Sequence, residues 1–174
     1  MTGYEVGWRV TANPIQVSPT LDVNLQPIPL TAFSVDGPSV DMAQIAAGGP
    51  KGSLYVGVGS GFLAVRTAGV YALSVRVERP AAPIANCLVR MGFASRRIVS
   101  NLELAVVKDF SKAFDAARFD LQPGLYPIDW AFGCWHDHDV IGPGRMTVLV
   151  GHPGEPTLLP ARFDDIVRPG RIRP

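Results

Sequence analysis

The sequence predicts an all-β fold, an antiparallel two-sheet β-sandwich of jelly-roll type with at most one short helix, on three observations. The first is composition. The chain holds 18 Gly and 16 Pro in 174 residues, too many for a helical protein, because Gly loses backbone entropy in a helix and Pro removes a donor and clashes with the preceding turn. The second is alternation. In Val70 to Glu78, Tyr71, Leu73, Val75 and Val77 alternate with Ala72, Ser74, Arg76 and Glu78, the period-two pattern of a strand with one buried face. The third is a repeat. Gly69-Val70-Tyr71-Ala72-Leu73 and Gly124-Leu125-Tyr126-Pro127-Ile128 share Gly, an aliphatic residue, Tyr, and an aliphatic residue two further on. Such a pair suits equivalent strands in two facing sheets, each Gly free to turn the chain and each Tyr entering the core with its hydroxyl near the rim.

The length fits one domain over residues 1–174, and 47% hydrophobic residues suffice for one sizeable core. Within it, residues 1–53 read as Pro- and Gly-rich strands and loops, 54–168 as the core sandwich and 169–174 as a basic tail. A formal net charge of +1 provides no global field for nucleic acid or an anionic membrane. The one local bias, Arg162, Arg168, Arg171 and Arg173, suits a solvated end or a subunit contact. The first twenty residues lack a positive n-region followed by an apolar h-region, so no secretory signal is expected in this chain. No apolar run reaches the roughly 20 residues that cross a bilayer.

Along the chain, Pro14, Pro19, Pro27, Pro29, Pro38 and Pro50 suit edge strands and long connections. Ala46 to Ser53 reads as a loop, and Gly57-Val58-Gly59-Ser60-Gly61 as a flexible turn without nucleotide-binding spacing or a following helix. Cys87 to Phe93 and the apolar stretch from Ile98 to Val107 suit two strands, with Arg96 and Arg97 at the turn between them. Phe110 to Phe119 is the single helix candidate, with an irregular loop as the alternative. In the second clear strand Tyr126, Ile128, Trp130, Phe132 and Cys134 share a face, with alternation expected to end near Gly133. After a turn at Gly142-Pro143-Gly144, Met146, Val148 and Val150 share another face.

With these landmarks in order, roughly residues 62–168 resemble the β-sandwich domain family first described in the anthrax toxin protective antigen and found in yeast adhesins and glycoside hydrolases. The segment AGVYALSVRVE resembles that family's first Gly-x-Tyr strand and FDLQPGLYPIDWAF its second; CLVRMGFASRRIVSN and MTVLVGHPGEPTLLPARFDDIV resemble a following strand with a small turn and the closing strand. The resemblance implies a sandwich and, in members that bind sugar through calcium, paired aspartates after the first Gly-x-Tyr strand. This chain has Val77-Glu78-Arg79-Pro80-Ala81 there, so calcium is not carried over. Asp164-Asp165 lies elsewhere and suits a surface turn or a helix-capping pair.

The densest polar cluster is Cys134-Trp135-His136-Asp137-His138-Asp139. On a continued strand Cys134, His136 and His138 would project together as zinc ligands, whereas an Asp-rich hairpin connection would leave them solvated, with His152 the one distant further ligand type. Cys87 and Cys134 form one disulfide or remain two reduced core thiols; both readings stay open. Candidate ligand contacts are Glu78, Asp129, Trp135, Asp137 and Asp139, with Asp129 opposite the core face and Trp135 a ring on which a sugar could stack. No Gly-x-Ser-x-Gly elbow occurs.

These features favour a non-catalytic structural or attachment subunit of a larger particle or surface assembly, for example a phage-like virion, partnered by other subunits and needing no cofactor. A glycan-binding module is the alternative that the resemblance implies, outside the calcium-dependent mechanism. A metal-dependent hydrolase built on the His-Asp cluster is the third.

Overall fold

The computed structural model describes residues 3–17, 23–25, 31–49, 54–80, 85–105, 110–136 and 140–170. The N-terminal part contributes β1 (Tyr4–Val6), β2 (Trp8–Val17), β3 (Val23–Leu25), β4 (Thr31–Val35), β5 (Ser39–Asp41) and helix α1 (Met42–Gly48). The long strands follow: β6 (Tyr55–Val65), β7 (Gly69–Arg79), β8 (Ala85–Phe93) and β9 (Arg96–Ala105). Next come β10 (Phe110–Ala113), β11 (Ala117–Leu121), β12 (Gly124–His136), β13 (Val140–Ile141), β14 (Arg145–Gly151), β15 (Leu159–Pro160) and β16 (Ile166–Pro169).

They form two antiparallel sheets, as the alternation predicts. The larger runs β1-β16-β6-β12-β8-β9; β2 shares the outer edge of β6 with β16 and carries β3 and β4, while β13 pairs with the end of β12. The smaller runs β10-β7-β14-β15, with β11 beside β10 along β7 and β5 beside β15 along β14. The alternating residues meet between the sheets. Trp8, Trp130, Phe132, Met91 and Phe93 come from the larger sheet and Tyr71, Leu73, Val75, Val77, Met146, Val148 and Val150 from the smaller, all buried. At about 1.5–3 kcal/mol for each large side chain removed from water, this layer is the main source of stability.

Gly69 and Gly124, which open the two Gly-x-Tyr strands, have φ of +148° and +159°. The following tyrosines then fold back alike. Tyr71 donates to the Thr67 carbonyl and Tyr126 to the Gln122 carbonyl, each at 2.9 Å and each four residues upstream.

Several local expectations are corrected. Residues 57–61 are the middle of β6, not a turn. Their inward glycines make room for indole rings: a Cβ on Gly59 would lie 2.1 Å from Trp130 Cε2, and one on Gly61 3.2 Å from Trp8. Residues 110–119 form β10 and β11 around a break, not a helix. Both segments pair with β7, and at the break Ser74 Oγ donates to the Phe114 carbonyl while the Phe114 amide donates to Val75. The helix lies instead at α1, whose Met42 and Ile45 are buried, so residues 46–48 are not loop. Its start is a capping box: Asp41 accepts from the Gln44 amide at 2.8 Å, and the Gln44 side chain accepts from the Asp41 amide at 3.0 Å. β2 lies between β6 and β4 rather than at an edge. β12 continues past Gly133 to His136, held by β8 and β13.

Between β8 and β9, Ala94 and Ser95 make the turn with φ of +47° and +67°, so the turn falls just before Arg96 and Arg97, which open β9. Trp135, Ile15, Val56 and Leu88 form a second small core on the outer face of the larger sheet, where Leu25 of β3 packs on them.

Candidate functional site

At one end of the smaller sheet, four strands bring four polar residues into one lateral row. Ser111 of β10 is opposite Glu78 of β7, Glu78 is opposite Arg145 of β14, and Arg145 is opposite Asp41 of β5. Residues directly opposite in antiparallel strands project from the same face with Cα atoms about 4.5–5.5 Å apart. Since Val77 points into the core, the row faces outward. It borders a cleft of about 530 Å³, lined also by Arg79, Pro80 and Gly144.

Arg79, also on the cleft lining, is set differently from the row. It continues the series Tyr71, Leu73, Val75, Val77 on the inward face of β7 and is only 2% exposed. Its Nη1 donates to the Pro80 carbonyl at 3.3 Å, and its buried Nη2 has no partner among the described residues. Burial holds this guanidinium below its usual pKa, because losing water disfavours the charged form. The other charges differ. Asp41 is occupied in capping α1, and Glu78 lies 3.6 Å from Nε of Arg76.

Among the described residues, this donor set does not match the paired aspartates of the calcium site that the resemblance would imply. A calcium ion takes six to eight oxygens, whereas here Glu78 is beside one guanidinium and adjacent in sequence to another, buried one. Among the described residues, no group of three or more His, Cys, Asp or Glu side chains gathers to hold a metal.

The other sequence candidates are dispersed. Asp129 is on the outer face of the larger sheet, the side of the sandwich opposite the Glu78 row, in a groove with Arg9, Ser60, Phe62 and Pro127. Glu78 and Asp129 therefore do not make one site. Trp135 shares the outward face with Asp129 but lies six residues on, about 20 Å at 3.3 Å per residue. It is 1% exposed in the second core, so it has no free face for stacking on a sugar. Cys134 is bonded to Cys87, its direct neighbour across β8 and β12, with an S–S distance of 2.01 Å. A zinc site on Cys134 is thereby corrected, since a sulfur in a disulfide has no thiolate to donate. The backbone of His136 ends β12. Asp137, His138 and Asp139 lie outside the described residues.

Asp164 lies exposed in a turn, as expected of the pair, whereas Asp165 in the same turn is buried and caps no helix among the described residues. It accepts from the Arg162 amide at 2.8 Å and faces His152 Nε2 at 3.1 Å, while Asp164 pairs with Arg66 at 2.9 Å. Arg168 bridges Asp36 and Glu5, at 2.9 and 3.3 Å, and so ties the C-terminal strand to the N-terminal part. Arg171 and Arg173 lie outside the described residues.

Sequence reasoning singled out Glu78, with Arg79 beside it in place of the expected aspartates, and missed Asp41, Ser111 and Arg145. These three come from separate strands with no local motif in common, so only the registers unite them. Arg79 did carry a signal: extending the odd-numbered series of β7 by one step places a guanidinium on the core face.

No protein-family model matches the sequence, and no curated protein sequence matches it. Solved structures do match in fold. The PA14 domain of the MpAFP antifreeze protein superposes with a TM-score of 0.57 at 13% identity, covering 99% of this chain and 96% of that one. The A domain of epithelial adhesin 9 from Candida glabrata, solved with Galβ1-4GlcNAc, has a TM-score of 0.53 at 13% identity and covers 97% and 91%. A PA14 sugar-binding domain from an RTX adhesin has a TM-score of 0.53 at 12% identity and covers 94% and 99%. The chain thus has the β-sandwich fold of these domains over nearly its whole length. No described helix is long and apolar enough to cross a membrane.

Proposed function

We propose that this chain is a non-catalytic glycan-binding or attachment module, with the cleft at the end of the smaller sheet as its binding site. The carrying observation is the cross-strand row of Ser111, Glu78, Arg145 and Asp41 bordering an open cleft. A hydroxyl, two carboxylates and a guanidinium on one rigid sheet offer both acceptors and donors to the hydroxyls of a sugar ring, with geometry fixed by the strands rather than by a loop. The fold adds support by analogy, since the similar adhesin domains are described as sugar-binding or were solved with a disaccharide. Recognition here proceeds by direct hydrogen bonding without calcium. A surface or extracellular location fits both the Cys87–Cys134 disulfide, which oxidising compartments preserve, and the adhesin likeness. The virion subunit has no specific observation among the described residues in its favour, so glycan attachment replaces it as the leading reading.

The test is a glycan array probed with the whole chain in calcium and again in EDTA. Binding is expected in both, and the double variant Glu78→Gln, Arg145→Gln should abolish it while leaving the melting temperature within about 2 °C, as expected for substitutions costing under ~0.5 kcal/mol on the surface. An array without any bound glycan, or binding that survives the double variant, would sink the reading.

A further inference from the structure

The cleft has two cationic groups to spare. Arg79 is buried, and its Nη2 has no partner among the described residues. Arg145 is exposed at the mouth, and none of its neighbours in the row pairs with it among the described residues. Each carboxylate has one neighbour of its own, Asp41 the Gln44 amide and Glu78 the Arg76 guanidinium at 3.6 Å, and keeps further acceptor sites for hydroxyls. What the two arginines lack is an anion.

Chemistry narrows the kind. A buried guanidinium without a partner is costly, because desolvation of the charge is not offset. A planar carboxylate matches its fork with two parallel hydrogen bonds, each stronger for being charge-assisted. We propose that the cleft takes the carboxylate of an acidic sugar, such as a uronate or sialate residue, with Arg79 as the anchor in the wall and Arg145 as the second contact at the mouth. This rests on the glycan-binding reading above and specifies its ligand class. The buried guanidinium is then a feature kept for binding at the expense of the free protein's stability.

Titration calorimetry on the whole chain tests it with matched probes: oligogalacturonate against its methyl ester, 3′-sialyllactose against lactose, and a sulfated galactan. At least one carboxylated probe should bind tenfold or more tightly than its neutral counterpart and than the sulfated galactan. Arg145→Gln should weaken that binding at least tenfold. Arg79→Met should abolish it while leaving the melting temperature of the free protein unchanged or raised, an outcome that a merely structural arginine would not produce. Where Arg79→Met does not fold, Arg79→Lys decides, because it keeps the charge and loses the fork: a tenfold loss supports the proposal and unchanged affinity overturns it.

Neutral probes binding as tightly as acidic ones, and released by the double variant Glu78→Gln, Arg145→Gln, would overturn the acidic ligand while preserving the glycan reading. Preference for the sulfated galactan would do the same. Acidic binding untouched by either arginine variant overturns the assignment to this cleft. Failure of all probes, with an empty glycan array, removes both readings.

Discussion

Tyr71 and Tyr126 hold the same turn in opposite sheets, each hydroxyl donating to the carbonyl four residues upstream at 2.9 Å. The repeat visible in the sequence is thus a repeated hydrogen bond as well as a repeated hydropathy pattern, and it pins the start of one central strand in each sheet. Tyr71→Phe removes a bond at a site 3% exposed, and should cost about 1 kcal/mol. Tyr126→Phe, at a less buried site where water can replace the lost donor, should cost about half as much. Urea denaturation of both variants checks the order.

Gly59 is required by Trp130. A Cβ at that position would lie 2.1 Å from the indole, so Gly59→Ala should destabilise by about 1–3 kcal/mol through overpacking. Ser60→Ala, on the exposed outer face of the same strand, should stay within about 0.5 kcal/mol. Equal effects in thermal melts would contradict the assignment of faces on β6.

The Cys87–Cys134 bridge closes a separation of 47 residues inside the core. Cys87→Ala, Cys134→Ala together should lower stability by about 2–4 kcal/mol, the usual range for a natural disulfide. Intact mass under non-reducing conditions should show two hydrogens fewer than after reduction and unfolding; an unchanged mass would mean free thiols.

Acid should loosen the turn after β14. The amide of His152 donates to Glu155, and this bond, aided by the His152 ring and by Arg162, holds the Glu155 carboxyl below its usual pKa. A depressed carboxylate stabilises the fold above its unfolded pKa, and that contribution is lost as pH falls through the folded value. The facing groups are His152, Arg162 and Asp165, with His152 reaching both carboxylates. Wild type should therefore be more stable than Glu155→Gln at pH 7, and the two urea midpoints should converge on titration towards pH 3. A gap independent of pH would contradict this linkage.

How much of this was legible in the sequence depended on whether hydropathy carried it. Tyr71 to Val77 and Tyr126 to Cys134 declare their inward faces by alternation. Residues 57–61 did not, because glycine has no side chain to mark a face, and their strand becomes visible only with Trp130 and Trp8 packed over them. Helix α1 is too short for a periodic signal and rests on the Asp41–Gln44 box. Trp135, the expected sugar platform, is covered by a ribbon from the far N-terminal part, a long-range contact that no local pattern encodes. The cleft was half legible: Glu78-Arg79 stood out against the aspartates expected there, whereas Ser111, Arg145 and Asp41 join it only through strand register.

Binding at the cleft is read most directly by amide chemical-shift mapping of the whole chain with the best glycan from the array, in EDTA. The largest saturable shifts are expected at Asp41, Glu78, Arg79, Ser111 and Arg145, with none above background at Arg9, Ser60 and Asp129 on the opposite face. Shifts centred on the Asp129 groove, or shifts at the cleft that need calcium, would contradict it.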